Sequence, residues 1–211
     1  MKRSHSLKTL AASLLLGFLA ACSTTQGTRP QSPELTALYE TRLQGLLELD
    51  QWALEGRLAV NNGKDGGSGN FNWRELGNET TMSFHGAFGR GAWRLEAEPG
   101  KAILQLADGE VYRASSSHAL VEQALGWEVP VDALAWWVRG LAAPGAWTSH
   151  EFDEDGKFLA LNQFGWDIEF ARYLNVNGMA LPQKMTARQG ASTVKLAIRK
   201  WNLDADRSRN D

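Results

Sequence analysis

Trp52-Ala53-Leu54-Glu55-Gly56-Arg57-Leu58-Ala59-Val60 decides the fold class. Trp52, Leu54, Gly56, Leu58 and Val60 alternate with Ala53, Glu55, Arg57 and Ala59. A period of two sends successive side chains to opposite faces of an extended chain, so this stretch is a strand with one buried face. The pattern recurs: Phe71 and Trp73 alternate with Asn70, Asn72 and Arg74, and Trp93, Leu95 and Ala97 with Arg94, Glu96 and Glu98. Similar runs cover 80–85, 101–107, 110–114, 148–153, 157–163, 166–174, 182–188 and 192–201. Turn signals such as Glu98-Pro99-Gly100 and Asp108-Gly109 separate them. The spacing predicts about eleven antiparallel strands joined as a meander.

Two departures from that period are helical. Before the first strand, Leu35, Leu38, Tyr39, Leu43, Leu46 and Leu47 recur at spacings of three and four, with Ser32 as cap and Pro33 in the first turn. This predicts an amphipathic helix over 33–49. Midway through the meander, Leu120, Val121, Ala124 and Leu125 share a face that Gly126 ends. Pro130 then opens a second helix with Leu134, Trp137, Val138 and Leu141 on one side. A sheet of about eleven strands must curl, split or close, and the inserted helices need a partner for their apolar faces. The expected architecture is mainly β with an α lid: an unclosed antiparallel half-barrel with helices covering a hydrophobic cavity. Two packed sheets are the other arrangement.

Outside this domain the amino terminus reads as an export signal. Lys2, Arg3 and Lys8 precede an apolar run from Leu10 to Leu19, and small residues follow. Leu19-Ala20-Ala21-Cys22 resembles the bacterial lipoprotein box, which implies cleavage before Cys22 and acylation of its sulfur and amine. Two or more acyl chains hold a protein firmly at a membrane where one holds it only marginally. Ser23 in the next position resembles lipoproteins sorted to the outer membrane. The expected organisation is therefore signal 1–21, lipidated tether 22–32, one folded domain 33–203 and polar tail 204–211.

Composition narrows the function classes. Residues 1–21 hold three basic and no acidic side chains, so the net charge of −2 becomes −5 for the remainder. A mildly acidic domain lacks the concentrated basic surface that nucleic-acid binding requires. Cys22 is the only cysteine, so no intrachain disulfide supports the fold. All nine Trp lie beyond the signal, in a domain that must line or fill something large and apolar.

The ordered set of motifs is similar to the LolB family of outer-membrane lipoprotein receptors. Trp52-x-x-x-Gly56-Arg57-Leu58-Ala59-Val60 resembles that family's opening strand and Phe71-x-Trp73 its second. Gly126-x-x-x-Pro130-x-x-x-Leu134-x-x-Trp137-x-x-Gly140-Leu141 resembles the segment of its lid helices, and Lys195-Leu196 and Trp201 its closing strands. The resemblance implies a monomer that accepts the acyl chains of lipoproteins from the periplasmic carrier LolA and releases them among the phospholipids of the outer membrane's inner leaflet. It also implies a membrane-insertion loop, here Gly86, Ala87, Phe88 and Gly89 between His85 and Arg90. Ala87 stands where the family often has Pro, and Phe88 replaces an aliphatic residue. Leu134, Trp137 and Val138 from the lid, facing Trp52, Leu54 and Leu58, are expected to fill the hollow when it is empty.

Catalytic and metal signals are weak. Beyond the signal the histidines are His85, His118 and His150, without the spacing of a metal site. Gly66-Gly67-Ser68-Gly69 lacks the closing glycine of a nucleophile elbow, and 63–69 reads as a flexible hairpin loop. The acidic run 151–155 reads as a solvated turn. No enzyme activity, cofactor or metal is expected. Two other readings remain open at this level: an envelope lipid or glycolipid sensor without transfer activity, and a periplasmic lipid-ester hydrolase.

Overall fold

The structure, a computed structural model, describes residues 32–87 and 91–204. The expected signal, Cys22 and the tether to residue 31, Phe88, Gly89 and Arg90 of the expected insertion loop, and residues 205–211 lie outside the described residues. The first element is helix α1 (Pro33–Leu47), whose first turn carries Pro33 and whose cap Ser32 accepts the N–H of Glu34 at 3.2 Å. Its buried stripe is narrower than the sequence predicts. Tyr39 and Leu46 are buried, whereas Leu38 and Leu47 are each 45% exposed.

Six strands follow: β1 (Gln51–Asn61), β2 (Gly66–Leu76), β3 (Glu79–Gly86), β4 (Trp93–Glu98), β5 (Lys101–Leu106) and β6 (Val111–Ala114). Helices α2 (Ser117–Leu125) and α3 (Val131–Trp137) come next. Strands β7 (Trp147–Phe152), β8 (Phe158–Gln163), β9 (Trp166–Val176), β10 (Met179–Gln189) and β11 (Ser192–Asn202) complete the domain. All eleven strands form one antiparallel sheet in the order β6-β5-β4-β3-β2-β1-β11-β10-β9-β8-β7. The first and last strands pair at its centre, so the free edges are β6 and β7. The chain between those two edges is α2 and α3, which makes the helices the bridge across the opening of an unclosed sheet. Two separate sheets do not form.

Alternation of burial follows the predicted period. In β1, Trp52, Leu54, Gly56, Leu58 and Val60 face inward while Glu55, Arg57 and Asn61 face solvent. Strict antiparallel order also sorts the turns. Those joining β1 to β2, β3 to β4, β5 to β6, β8 to β9 and β10 to β11 lie at one rim, here the near rim. The termini of β1 and β11 reach the far rim.

Two local expectations change. Residues 66–69 belong to β2 instead of a loop, and Gly69 admits the neighbouring strand: a Cβ there would stand 2.2 Å from the carbonyl oxygen of His85. Helix α3 is shorter than predicted. It ends at Trp137, and the turn after it is closed by Gly140 at φ 73°, with N–H groups of Gly140 and Leu141 bonding the carbonyls of Trp137 and Trp136.

The β1–β11 pairing carries a bulge between Glu55 and Gly56, where a Cβ on Gly56 would lie 2.4 Å from the carbonyl oxygen of Ala197. We expect Gly56→Val to lower the unfolding free energy by about 1–3 kcal/mol in chemical denaturation. Gly45 in α1 meets nothing within 4 Å, so Gly45→Ala should raise stability by roughly 0.5–1 kcal/mol in the same measurement.

Candidate functional site

The inner face of the sheet and its helical cover form one continuous apolar core. Among its members, Trp52, Leu54 and Leu58 on β1 and Leu134, Trp137 and Val138 on the lid are all buried. Rings dominate the two wings. On one, Trp201, Trp52, Trp73, Phe71, Trp93 and Phe84 follow one another at centroid distances of 5.3–6.2 Å, ending on Trp127 between α2 and α3. On the other, Tyr39 of α1 packs on Phe152 and Phe158. Between the wings, from β1 across β11 to β10, the inward residues include Leu54, Leu58, Val194, Leu196, Ile198 and Met185, with Trp52 and Trp201 at the far-rim end.

The lid residues share this core with β1, but the nearest ring of Trp137 belongs to the other wing. Its indole lies 6.3 Å from that of Trp166 on β9, and its Nε1 donates to Gln163 Oε1 at 2.9 Å. Trp52 instead packs on Trp73 and Trp201. Side chains occupy the interior throughout: Leu104, Leu120, Trp137, Val138, Leu141 and Phe158 have no exposed area.

Polar groups tie the cover down at its carboxyl end. Gln163, fully buried at the end of β8, accepts from Trp137 Nε1 and from the N–H of Ala143 at 2.9 Å, and donates to the Ala143 carbonyl at 2.7 Å. Arg42 on α1 donates to the carbonyls of Gly140, Arg139 and Ala180 at 2.9, 3.1 and 2.5 Å. The N–H of Ala142 donates to the Tyr39 hydroxyl at 3.3 Å. Burial depresses the Arg42 guanidinium and raises the Tyr39 phenol. Near the far rim, Trp73 Nε1 and Thr80 Oγ1 donate to Glu75, and Arg139 is the nearby cation. Burial outweighs these partners and holds the Glu75 carboxyl above its ordinary value of 4.5.

The six apolar residues expected here are all buried in the core, and Gln163, Arg42, the Tyr39 hydroxyl and Glu75 were not among the residues singled out from the sequence. Two signals were present: Arg42 falls on the apolar stripe between Tyr39 and Leu46, and Gln163 occupies an inward position of β8. Gly86 ends β3 opposite Gly69, and Ala87 follows it, so the loop expected to meet a membrane leaves from the near rim. The outer face carries a groove of about 660 Å³ lined by Glu55, Asn72, Arg74, Arg94, Glu96 and Lys101 among others. Its lining mixes these charged side chains with apolar ones such as Leu76 and Ile103, and Arg94 pairs with Glu96 at 2.7 Å. The acidic turn folds on itself: Lys157 pairs with Asp153 at 3.0 Å and with Asp155 at 2.5 Å. Among the described residues no cluster suits a metal ion, and no helix is long and apolar enough to cross a membrane.

The family model for the outer membrane lipoprotein LolB matches residues 50–201. The chain belongs to the LolB family. It is 38% identical over 205 residues to the outer-membrane lipoprotein LolB of Marinobacter nauticus, covering 92% of this chain and 97% of that one. It is 37% identical over 163 residues to the LolB of Pseudomonas aeruginosa strain PAO1, covering 77% and 80%. Among solved structures, a putative outer membrane lipoprotein-sorting protein domain from Vibrio parahaemolyticus shares the fold, with a TM-score of 0.50 at 12% identity over 80% of this chain and 90% of that one.

Two outcomes follow from the cover and its polar ties. Gln163→Leu leaves the indole N–H of Trp137 and both main-chain groups of Ala143 without partners. We expect a stability loss of about 3 kcal/mol or more in urea, with raised bis-ANS binding as the cover loosens. For Glu75, a raised folded-state value means its stabilising contribution is complete below pH 4.5 and is lost as pH rises through the elevated value. Glu75→Gln should therefore flatten the decline of the thermal midpoint across the weakly acidic range, relative to the unsubstituted protein.

Proposed function

We infer that this chain receives the acyl chains of a lipoprotein from a soluble LolA-like carrier and releases them into the inner leaflet of the outer membrane. The observation that carries this reading is an apolar interior filled by its own side chains beneath helices that bridge the free edges of the sheet. Such an interior admits an acyl chain only by displacing the cover. A chain of about fifteen methylenes gains roughly 12 kcal/mol on burial, at about 0.8 kcal/mol each. Exposing Leu134, Trp137 and Val138 returns about 1.5–3 kcal/mol apiece. Binding is then weaker than in a bilayer, where no equivalent side chains have to move, and cargo flows toward the membrane.

Transfer of this kind is a partition between apolar phases and needs no covalent step. Cys22 would hold the domain at its membrane by acylation, and Gly86, Ala87, Phe88 and Gly89 would meet the bilayer from the near rim. The six residues Trp52, Leu54, Leu58, Leu134, Trp137 and Val138 would be the surfaces exchanged for lipid. Membership in a family of outer-membrane lipoproteins supports the compartment, and the packed apolar interior supports the cargo chemistry.

Cysteine pairs placed across α2 and β5 test the reading, because α2 lies in the part of the cover that must lift and Cys22 is the chain's only native cysteine. With the bridge oxidised, uptake of an acylated lipoprotein from a LolA-like carrier should fall at least tenfold, and reduction should restore it. Equal uptake by the oxidised and reduced forms would contradict the displacement mechanism.

A further inference from the structure

Two hairpin turns in this sheet share a backbone geometry and differ in one residue. Asn177-Gly178 joins β9 to β10 with φ of 51° and 85°, and Phe164-Gly165 joins β8 to β9 with φ of 54° and 77°. Positive φ at both central positions marks the two-residue hairpin that favours Asn-Gly, since Asn tolerates the left-handed region and bulky residues do not. An aromatic in the first position strains the backbone without need. Its side chain is also 49% exposed, more than any other large apolar residue among those described.

The fold gains little in return. The Phe164 ring rests on Gly145, whose Cβ position would lie 3.1 Å from two ring carbons. Its carbonyl accepts from Gln189 Nε2 at 3.2 Å, a bond that any residue there makes. Backbone strain combined with apolar area left in water points to a surface that covers it.

The location says which surface. The β8–β9 turn lies at the near rim, as does the β3–β4 loop. Pro144, Gly145, Ala146 and Trp147 beside it are all exposed, and the turn Gln163-Phe164-Gly165-Trp166 carries no charge. We propose that Phe164 is a membrane-contact residue whose ring enters the interfacial layer of a phospholipid bilayer, flanked by the exposed segment 144–147. One ring on a short, rigid turn suits a fluid layer, whereas a protein partner needs a surface of the order of 1,000 Å². Trp and Tyr settle at the boundary between headgroups and acyl chains, and Phe joins Trp and Leu on the buried face of segments that lie in that layer. The proposal rests on the delivery reading above, and gives it a second contact point on the same rim.

The test uses the chain from residue 22 with Cys22→Ser, which carries no acyl anchor, and vesicles of phosphatidylethanolamine and phosphatidylglycerol. Phe164→Asn places the ordinary hairpin residue in the turn and Phe164→Trp keeps an interfacial ring. We expect Phe164→Asn to unfold at the same or higher denaturant concentration, to take cargo from a LolA-like carrier normally, and to lose at least threefold in vesicle co-flotation and cargo delivery. Phe164→Trp should retain both. Unchanged flotation of Phe164→Asn overturns the proposal. So does a parallel loss of stability, which would make the ring structural, or a loss of uptake with flotation intact, which would assign it to the carrier. Should the unsubstituted chain fail to deliver cargo at all, the delivery reading falls, while flotation of the two variants still decides the contact.

Discussion

Pairing of the first strand with the last is the constraint on which everything else depends. It places β1 and β11 at the centre of the sheet and forces the two unpaired edges, β6 and β7, to belong to strands from the middle of the chain. A closed barrel would have no edges to manage. Here the gap is bridged by the chain itself, as α2 and α3, whose apolar faces have nowhere to go except onto the inner face of the sheet. The cover is thus a consequence of topology, and lifting it would break no strand-to-strand hydrogen bonds.

What holds the cover is of two kinds. Apolar packing supplies most of the contact, through Leu134, Trp137, Val138 and Leu141 against the aromatic wings and the strands between them. An acyl chain can replace that packing like for like, because dispersion and burial are non-directional. The polar ties are directional and few. Gln163, Arg42 and Tyr39 all grip residues 139–143 or the adjoining Trp137. That arrangement fixes the carboxyl end of the lid, while α2 and the start of α3 are held by packing and by a side-chain tie from Asn62 Nδ2 to the Gly126 carbonyl at 3.1 Å. Hinged displacement about the 139–143 segment is the motion such a distribution favours.

Elements with strong periodicity were legible in the sequence. The strand around Trp52–Val60, the helical interruption at 117–141 and the count of eleven strands follow from periods of two and 3.6, which reflect which face is buried. The pairing of β1 with β11 was not visible in those periods, since alternation reports the face of a strand and not its neighbour. Residues 66–69 misled because glycine signals both a turn and a close approach of backbones, and only the neighbouring His85 carbonyl distinguishes them. Gln163 and Arg42 were hidden for a related reason. A polar residue at an inward position is uninformative until the main-chain groups it satisfies are known. Phe164 falls in the gap between two strand runs, where nothing in the sequence distinguishes it, and its left-handed backbone is what sets it apart.

The central claim is that lipid enters by exchange for the cover's own side chains while the sheet stays intact. Hydrogen exchange of residues 117–143, with and without a diacylated peptide, measures this most directly. Ligand should speed exchange at the amides of α2 and at Leu134, Trp137 and Val138, and leave the tied Ala142 and Ala143 amides and the β1–β11 ladder unchanged. Stoichiometric binding with no change in exchange across the cover would contradict the account.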